Sequence, residues 1–177
     1  PMTDAMQRKF FQNILRKNFM NEQLSQTIKG YNGRTIIEKE NQLAVIVDNK
    51  VVGKIDKGFT LLVGFTQGDT IEDIKYMVKK IVNLRIMDDE NGVMNKSILD
   101  AGGDILSISQ FTLYGDAKKG NRPSYIKALG GAEASPMYDQ FNEMLREHVK
   151  VETGIFGADM KVELLNGANL AFIGDAY

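Results

Sequence analysis

The stretch Leu43-Ala-Val-Ile-Val-Asp48-Asn49-Lys50-Val-Val-Gly-Lys-Ile55-Asp-Lys-Gly58-Phe-Thr-Leu-Leu-Val-Gly-Phe65 decides the fold class. Two β-branched runs, Leu43–Val47 and Lys50–Ile55, flank Asp48-Asn49, a pair that tolerates the backbone of a tight hairpin turn. Lys57-Gly58 then opens a buried strand through Phe65. Upstream, Arg34-Thr-Ile-Ile37 predicts another strand, and downstream Asp104-Ile-Leu-Ser-Ile-Ser109 alternates as a half-buried one. Asp159–Leu165 and Leu170–Ile173 read as two closing strands. A helix is predicted after Gly68-Asp69-Thr70, where Thr70 caps and Asp73 stands three residues on. Its apolar positions Ile71, Ile74, Met77/Val78, Ile81 and Leu84 keep the helical period. A second helix is predicted near Ser135–Val149, with Met137, Phe141, Met144, Leu145 and His148 on one stripe. Strands outnumber helices and arrive mostly as hairpins, which predicts an α+β fold with an antiparallel or mixed sheet.

The 177 residues suit one domain, or one domain plus an appendage, and can bury a core without covalent staples. With 43% hydrophobic and 25% charged residues the chain reads as globular. No apolar run approaches the roughly 18 residues of a membrane span, so no membrane role is expected and the cytoplasm is the expected location. Cysteine is absent, which excludes disulfides, thiolate metal sites and thiol catalysis. Charge is uneven. Residues 1–33 hold five basic and two acidic side chains, a net of +3, and leave 17 basic against 21 acidic for the rest. Met6, Phe10 and Ile14, with Phe11, Leu15 and Phe19 beside them, predict an amphipathic helix that Gly30-Tyr-Asn-Gly33 ends. Docking of that stripe on the body is the simpler reading; contact of a basic helix with RNA or a membrane surface is the alternative. Pro1 ahead of Met2 reads as a scar of processing or cloning.

Conventional side-chain motifs point to no chemistry. His148, the one histidine, sits on an apolar stripe at a helix end and reads as packing. Asp88-Asp89-Glu90 precedes Asn91-Gly92 and reads as a solvated turn rather than a cation site. The glycines, Gly102-Gly103 and Gly130-Gly131 included, match no phosphate-binding spacing. No metal and no cofactor is expected.

Longer strings do carry a signal. Ser109-Gln-Phe-Thr-Leu-Tyr114, Lys118-Lys-Gly-Asn-Arg-Pro-Ser124 and Gly154-Ile-Phe-Gly-Ala-Asp-Met160 resemble the D-aminoacyl-tRNA deacylase family. Val47-Asp48, Val51-Val52-Gly53, Lys80-Ile81, Asn83-Leu-Arg-Ile86, Met94-Asn95 and Ser97 support it in the same order. The similarity runs from about Arg34 to the C-terminus, so residues 34–177 read as a deacylase-like domain and 1–33 as a helical extension. The resemblance implies hydrolysis of the ester joining a D-amino acid, or glycine, to the 3′-terminal adenosine of tRNA. It also implies a homodimer with a barrel-like antiparallel core, two helices packed on it, and active sites at the dimer interface. By position, Ser109, Gln110, Phe111 and Thr112 match the catalytic signature, and Phe156 and Met160 the pocket lining. Lys118, Lys119 and Arg122 become candidate phosphate contacts for the tRNA acceptor end. An aminoacyl ester is already activated, so a site without a histidine base suffices. Backbone groups around Gln110-Phe111 would polarise the carbonyl, with the substrate 2′-hydroxyl assisting. Thr112, a nucleophile candidate in the family, has no neighbouring base in the sequence and reads as a hydrogen-bonding group.

Two departures carry expectations of their own. Where relatives have Gln-Arg-Val in a first strand, this chain has Glu38-Lys39-Glu40. The family's Asn-x-Gly-Pro, whose cis peptide reaches into the partner subunit's pocket and enforces chirality, is here Asn166-Gly167-Ala168-Asn169. A cis bond before Asn169 would cost about 3 kcal/mol, so a trans peptide and an altered pocket mouth are expected at Ala168 and Asn169. Weakened chiral rejection follows, or an inactive relative that binds tRNA or a protein partner.

Overall fold

The structure is a computed structural model that describes residues 26–29, 34–40, 43–164 and 171–172, and side chains within 44–58 and 60–162. The apolar stripe at Met6–Phe19 and the Ala168-Asn169 peptide lie outside the described residues. Eleven strands are described: β1 (Gln26–Lys29), β2 (Arg34–Glu40), β3 (Leu43–Val47), β4 (Lys50–Ile55), β5 (Gly58–Gly64), β6 (Met87–Asp88), β7 (Met94–Lys96), β8 (Asp104–Ser109), β9 (Val151–Thr153), β10 (Lys161–Leu164) and β11 (Ala171–Phe172). With them go the helices α1 (Ile71–Asn83), α2 (Ile98–Ala101) and α3 (Gly131–Arg146).

The β3–β4 hairpin forms where Asp48-Asn49 predicts it, with φ of 50° and 61° at the two turn residues. Within the N-terminal segment expected to be helical, Gln26–Lys29 is instead a strand antiparallel to β2. Its Thr27-Ile28 pair is β-branched and the edge of β2 is there to receive it.

The main sheet runs β1-β2-β5-β8-β9, with β11 also on β2. β8 is parallel to both neighbours, β5 and β9. Chain passing from β5 to β8 includes α1, and chain passing from β8 to β9 includes α3, as parallel pairing requires. The helices cover one face, where Leu61, Val63, Ile74, Ile81, Ile105, Phe141 and Leu145 form the larger core. A second sheet, β10-β3-β4, covers the other face, where Val45 and Ile55 meet Leu106 and Ile108. β8 is therefore buried throughout 105–108, not half-buried as its alternation suggests, because both of its faces are covered.

Caps agree with the sequence. The Asp73 carboxylate accepts from the Thr70 N–H at 2.8 Å and from its hydroxyl at 3.0 Å. The stripe of α3 is shifted: Ala134, Tyr138, Phe141, Asn142 and Leu145 are buried, while Met137 and Met144 are half-buried and His148 is exposed beyond the helix. His148 is thus not a packing residue, which corrects the sequence reading. No helix among the described residues is long and apolar enough to cross a membrane.

Candidate active site

β5 and β8 deliver the candidate turn together. Their parallel register ends at Val63 opposite Ser109, and the Gln110 N–H then donates to the Val63 carbonyl at 2.7 Å. Past that bond the chain leaves the sheet and coils into a 3-10 turn, Phe111–Tyr114. Gly64 makes this possible, since a Cβ there would lie 3.0 Å from the Gln110 carbonyl oxygen and 3.2 Å from the Tyr114 ring.

The geometry corrects one expectation about the amides. Gln110's N–H is spent on the sheet and is not available to a substrate carbonyl. The first N–H groups of a helical turn have no partner within the turn, and among the described residues nothing accepts from those of Phe111 and Thr112. The Gln110 side-chain amide donates to the Thr112 hydroxyl oxygen. That hydroxyl is held as an acceptor, and no base faces it among its described hydrogen bonds. Ser109 and Thr112 are half-buried, whereas the Phe111 ring is 58% exposed.

A basic loop adjoins the turn. Asp116 and Ser124 exchange two backbone bonds of 2.8 Å and so pinch off residues 117–123, which carry the exposed Lys118, Lys119 and Arg122. Asp116 also accepts from the Lys118 N–H at 2.9 Å and pairs with Lys127 at 3.8 Å. Tyr125 closes the loop onto the turn, its ring edge-on to Phe111 at 5.3 Å. The loop's return is anchored by Leu129 N–H to the Phe65 carbonyl at 2.9 Å and by the Thr66 hydroxyl to the Lys127 carbonyl. The structure thus brings the basic residues and Ser109–Thr112 to one end of the main sheet.

Phe156 and Met160 part company. Phe156 packs on the helix-side core, its ring 5.9 Å from Tyr138, while Met160 packs between the sheets and its sulfur lies over Gly154. Their described link to the turn runs through β8: the Gly154 N–H and the Tyr138 hydroxyl both donate to the Ser107 carbonyl, at 3.3 and 2.8 Å. Tyr138 and Tyr125 escaped the sequence reading. Tyr125 directly follows the Lys118–Ser124 string, and Tyr138 lies one residue from the stripe assigned to α3.

Two acidic groups are perturbed in opposite directions. Asp89 accepts from Asn91 and Val93 N–H at 2.9 and 3.0 Å, and those backbone bonds hold it below the usual carboxylate range. The Asp88-Asp89-Glu90 run is divided, Asp88 closing β6 and Glu90 entering the turn with Asn91; no group of metal-ligating side chains is found among the described residues. Asp69 behaves oppositely. Burial pushes it up to about 6, against the lowering effect of the Thr66 N–H it accepts at 2.8 Å, with Asp73 adding to the rise. Its Oδ1 is buried with no hydrogen-bond partner among the described residues, in a recess it shares with Val63, Gly64, Met77 and Phe141. None of the predicted site residues that are described lines that recess.

Comparison with known proteins settles the lineage. The family model described as D-Tyr-tRNA(Tyr) deacylase matches residues 36–173. The chain belongs to the D-Tyr-tRNA(Tyr) deacylase family. Among curated relatives, a D-aminoacyl-tRNA deacylase of Clostridium novyi (strain NT) is 51% identical over 144 residues, 81% of this chain and 97% of its own. A D-aminoacyl-tRNA deacylase of Clostridium perfringens (strain SM101 / Type A) is 50% identical over the same shares. Of solved structures, one described as a c-Myc DNA unwinding element binding protein has a TM-score of 0.71 at 34% identity, covering 75% of this chain and 91% of its own. Another, a probable eukaryotic D-amino acid tRNA deacylase, has a TM-score of 0.68 at 17% identity over 77% and 95%, a likeness of fold. The matched residues include the second sheet, the main sheet apart from β1 and the first two residues of β2, both long helices and the whole candidate turn.

Proposed function

We propose that this chain is a deacylase that hydrolyses the ester of D-aminoacyl-tRNA, releasing a D-amino acid and free tRNA. Membership of the family carries the reaction class, and the Phe111 N–H, from which nothing accepts among the described residues, supports the mechanism. Water attacks the ester carbonyl, the developing oxyanion is stabilised by the Phe111 and Thr112 amides, and the 3′-oxygen leaves with a proton relayed through the substrate's 2′-hydroxyl. Fixed amide donors of this kind contribute about 3 kcal/mol each. Because Val63 clamps the residue before it, the Phe111 amide is set before substrate arrives. Thr112 orients Gln110 rather than attacking.

Lys118, Lys119 and Arg122 would take phosphates of the acceptor end, a role supported by their exposure beside the turn. Phe156 and Met160 remain the proposed walls of the substrate pocket, with Ala168 and Asn169 at its mouth. The exposed Phe111, Tyr125 and Ile126 beside the turn support a second copy of the chain as cover, that is, a homodimer. Residues 34–177 would form this catalytic unit and 1–33 an appended segment. The cytoplasm, where a tRNA substrate is met, is the proposed location.

The test is release of amino acid from D- and L-tyrosyl-tRNA. Turnover of the D ester, with the L ester also attacked measurably, fits an altered mouth at Ala168-Asn169. Turnover confined to the D ester removes the weakened rejection but keeps the hydrolase. Binding of tRNA without turnover of either ester overturns the hydrolase and leaves the binding relative.

A further inference from the structure

α1 turns a charged face to solvent that the ester cleavage, as derived, does not use. Ile74, Met77, Val78 and Ile81 bury one side of the helix. The opposite side exposes Lys75, Tyr76, Lys79 and Lys80. Lys75 and Lys79 stand one helical turn apart and Lys80 flanks Lys79, so the three ammonium groups share that side.

Acidic neighbours do not claim them. The Asp73 carboxylate is spent on the Thr70 cap. Glu72 pairs with Lys75 at 3.0 Å, but both side chains are more than half exposed, and such a pair contributes little. Among the described residues no acidic side chain pairs with Lys79 or Lys80. The Lys80 ammonium lies instead over the Tyr76 ring, 5.9 Å from its centre. α3 packs on the same core, and it and its cap residue expose Glu133, Asp139, Glu143 and Glu147. Its described ion pair, Arg146 with Glu143, stays within the helix. Opposite charges are thus segregated on two neighbouring helices rather than paired across them.

Position points to the partner. β5 ends at Gly64 beside the candidate turn, and α1 starts at Ile71. Between them the Thr66 hydroxyl donates to the Lys127 carbonyl and Thr66 bridges to Ala128, which ties the approach to α1 to the foot of the basic loop. From there the 13 residues of α1 run about 20 Å, with Lys75 and Lys80 about 6 and 14 Å along. An RNA whose 3′ end enters the turn carries a stem of backbone phosphates behind it.

We propose that Lys75, Lys79 and Lys80 on α1 form a second contact for tRNA, binding backbone phosphates of the stem behind the 3′ end that enters the Ser109–Thr112 turn.

Such a contact positions the substrate without reading its sequence. It holds the stem alike before and during cleavage, so it acts on KM rather than kcat.

This rests on the hydrolase reading, and the experiment keeps the two apart. One variant combines Lys75→Gln, Lys79→Gln and Lys80→Gln. A comparison variant combines Lys50→Gln, Lys54→Gln and Lys161→Gln, which removes the same charge from exposed positions of the second sheet. Uncharged tRNA is titrated at several salt concentrations, and kcat and KM are measured on D-tyrosyl-tRNA and on D-tyrosyl-adenosine, which has no stem. In the α1 variant the slope of log binding constant against log salt should flatten by about 2, and in the comparison variant by less than about 0.5. KM for the tRNA ester should rise severalfold in the α1 variant, with kcat and both constants for the adenosine ester unchanged. Lys79→Gln alone should flatten the slope by about 0.8, and decides if the triple variant fails to fold. A slope unaltered in the α1 variant, or flattened equally in both, overturns the contact and leaves the hydrolase. Loss of binding to phosphatidylserine vesicles with the tRNA slope unaltered assigns the face to a membrane and overturns it too. Binding of tRNA without cleavage, with the slope flattened as stated, keeps the contact and overturns the hydrolase. Wild-type protein that cleaves neither ester and binds no tRNA overturns both.

Discussion

Asp69 shows how one side chain carries a pH dependence. Its folded value near 6 stands above the ordinary 3.8, so the folded state holds the proton more tightly than the unfolded one. Stability from this group is present below pH 3.8, falls as pH rises through 6, and is absent at neutrality. Asp69→Asn should therefore raise the melting temperature at pH 7.5, by the equivalent of about 1 kcal/mol once solvent screening is allowed for. The gain should vanish at pH 4, and thermal melts across that range check it; a gain equal at both values would contradict the buried-carboxylate account. At Thr112 the hydroxyl accepts from Gln110, so Thr112→Ala should keep turnover within about tenfold of wild type. Loss of a true nucleophile costs on the order of 10^4 or more, and single-turnover deacylation separates the two cases. These residues were legible in unequal measure. Thr112 belongs to a string that reads from sequence alone, whereas Asp69 looks like any acidic residue before a helix until Phe141 and Met77 are seen to close over it.

β8 is the element on which the site depends. Parallel strands on both sides and covered faces above and below enclose it, and its end delivers the turn. Its start is fixed by a close approach. Gly58 has φ of 149°, and a Cβ there would overlap the backbone of Asp104, the first residue of β8. Gly58→Ala should cost roughly 3 kcal/mol, through a strained backbone and a displaced parallel register. The midpoint of urea unfolding measures it, and a shift below about 0.5 kcal/mol would show that β5 and β8 can separate without loss. The alternation of Asp104–Ser109 suggested one covered face because Ser107 and Ser109 looked like the solvent side. Ser107 is instead fully inside, its carbonyl bonded by Tyr138 and Gly154 while its hydroxyl oxygen finds no partner among the described residues, so the burial comes from the covering of both faces.

At the level of the whole molecule the net charge is −1, so attraction to a polyanion has to come from a local patch. Lys118, Lys119 and Arg122 are the patch proposed above, on the loop that the Asp116–Ser124 bonds pinch off. Replacing all three with Gln should flatten the slope of log binding constant against log salt by about 2, from the counterions no longer released. Titration of uncharged tRNA at several salt concentrations gives the slope, and an unaltered slope would remove these side chains from the interface. The sequence by itself determined the hairpin, the capped first helix and the family strings, because turn chemistry, periodicity and unusual residue runs are local properties. Tertiary structure alone decided that Gln110's amide belongs to the sheet, that His148 faces solvent and that Tyr138 joins two segments. Each depends on which distant backbone or side chain arrives alongside, and no spacing along the chain encodes that.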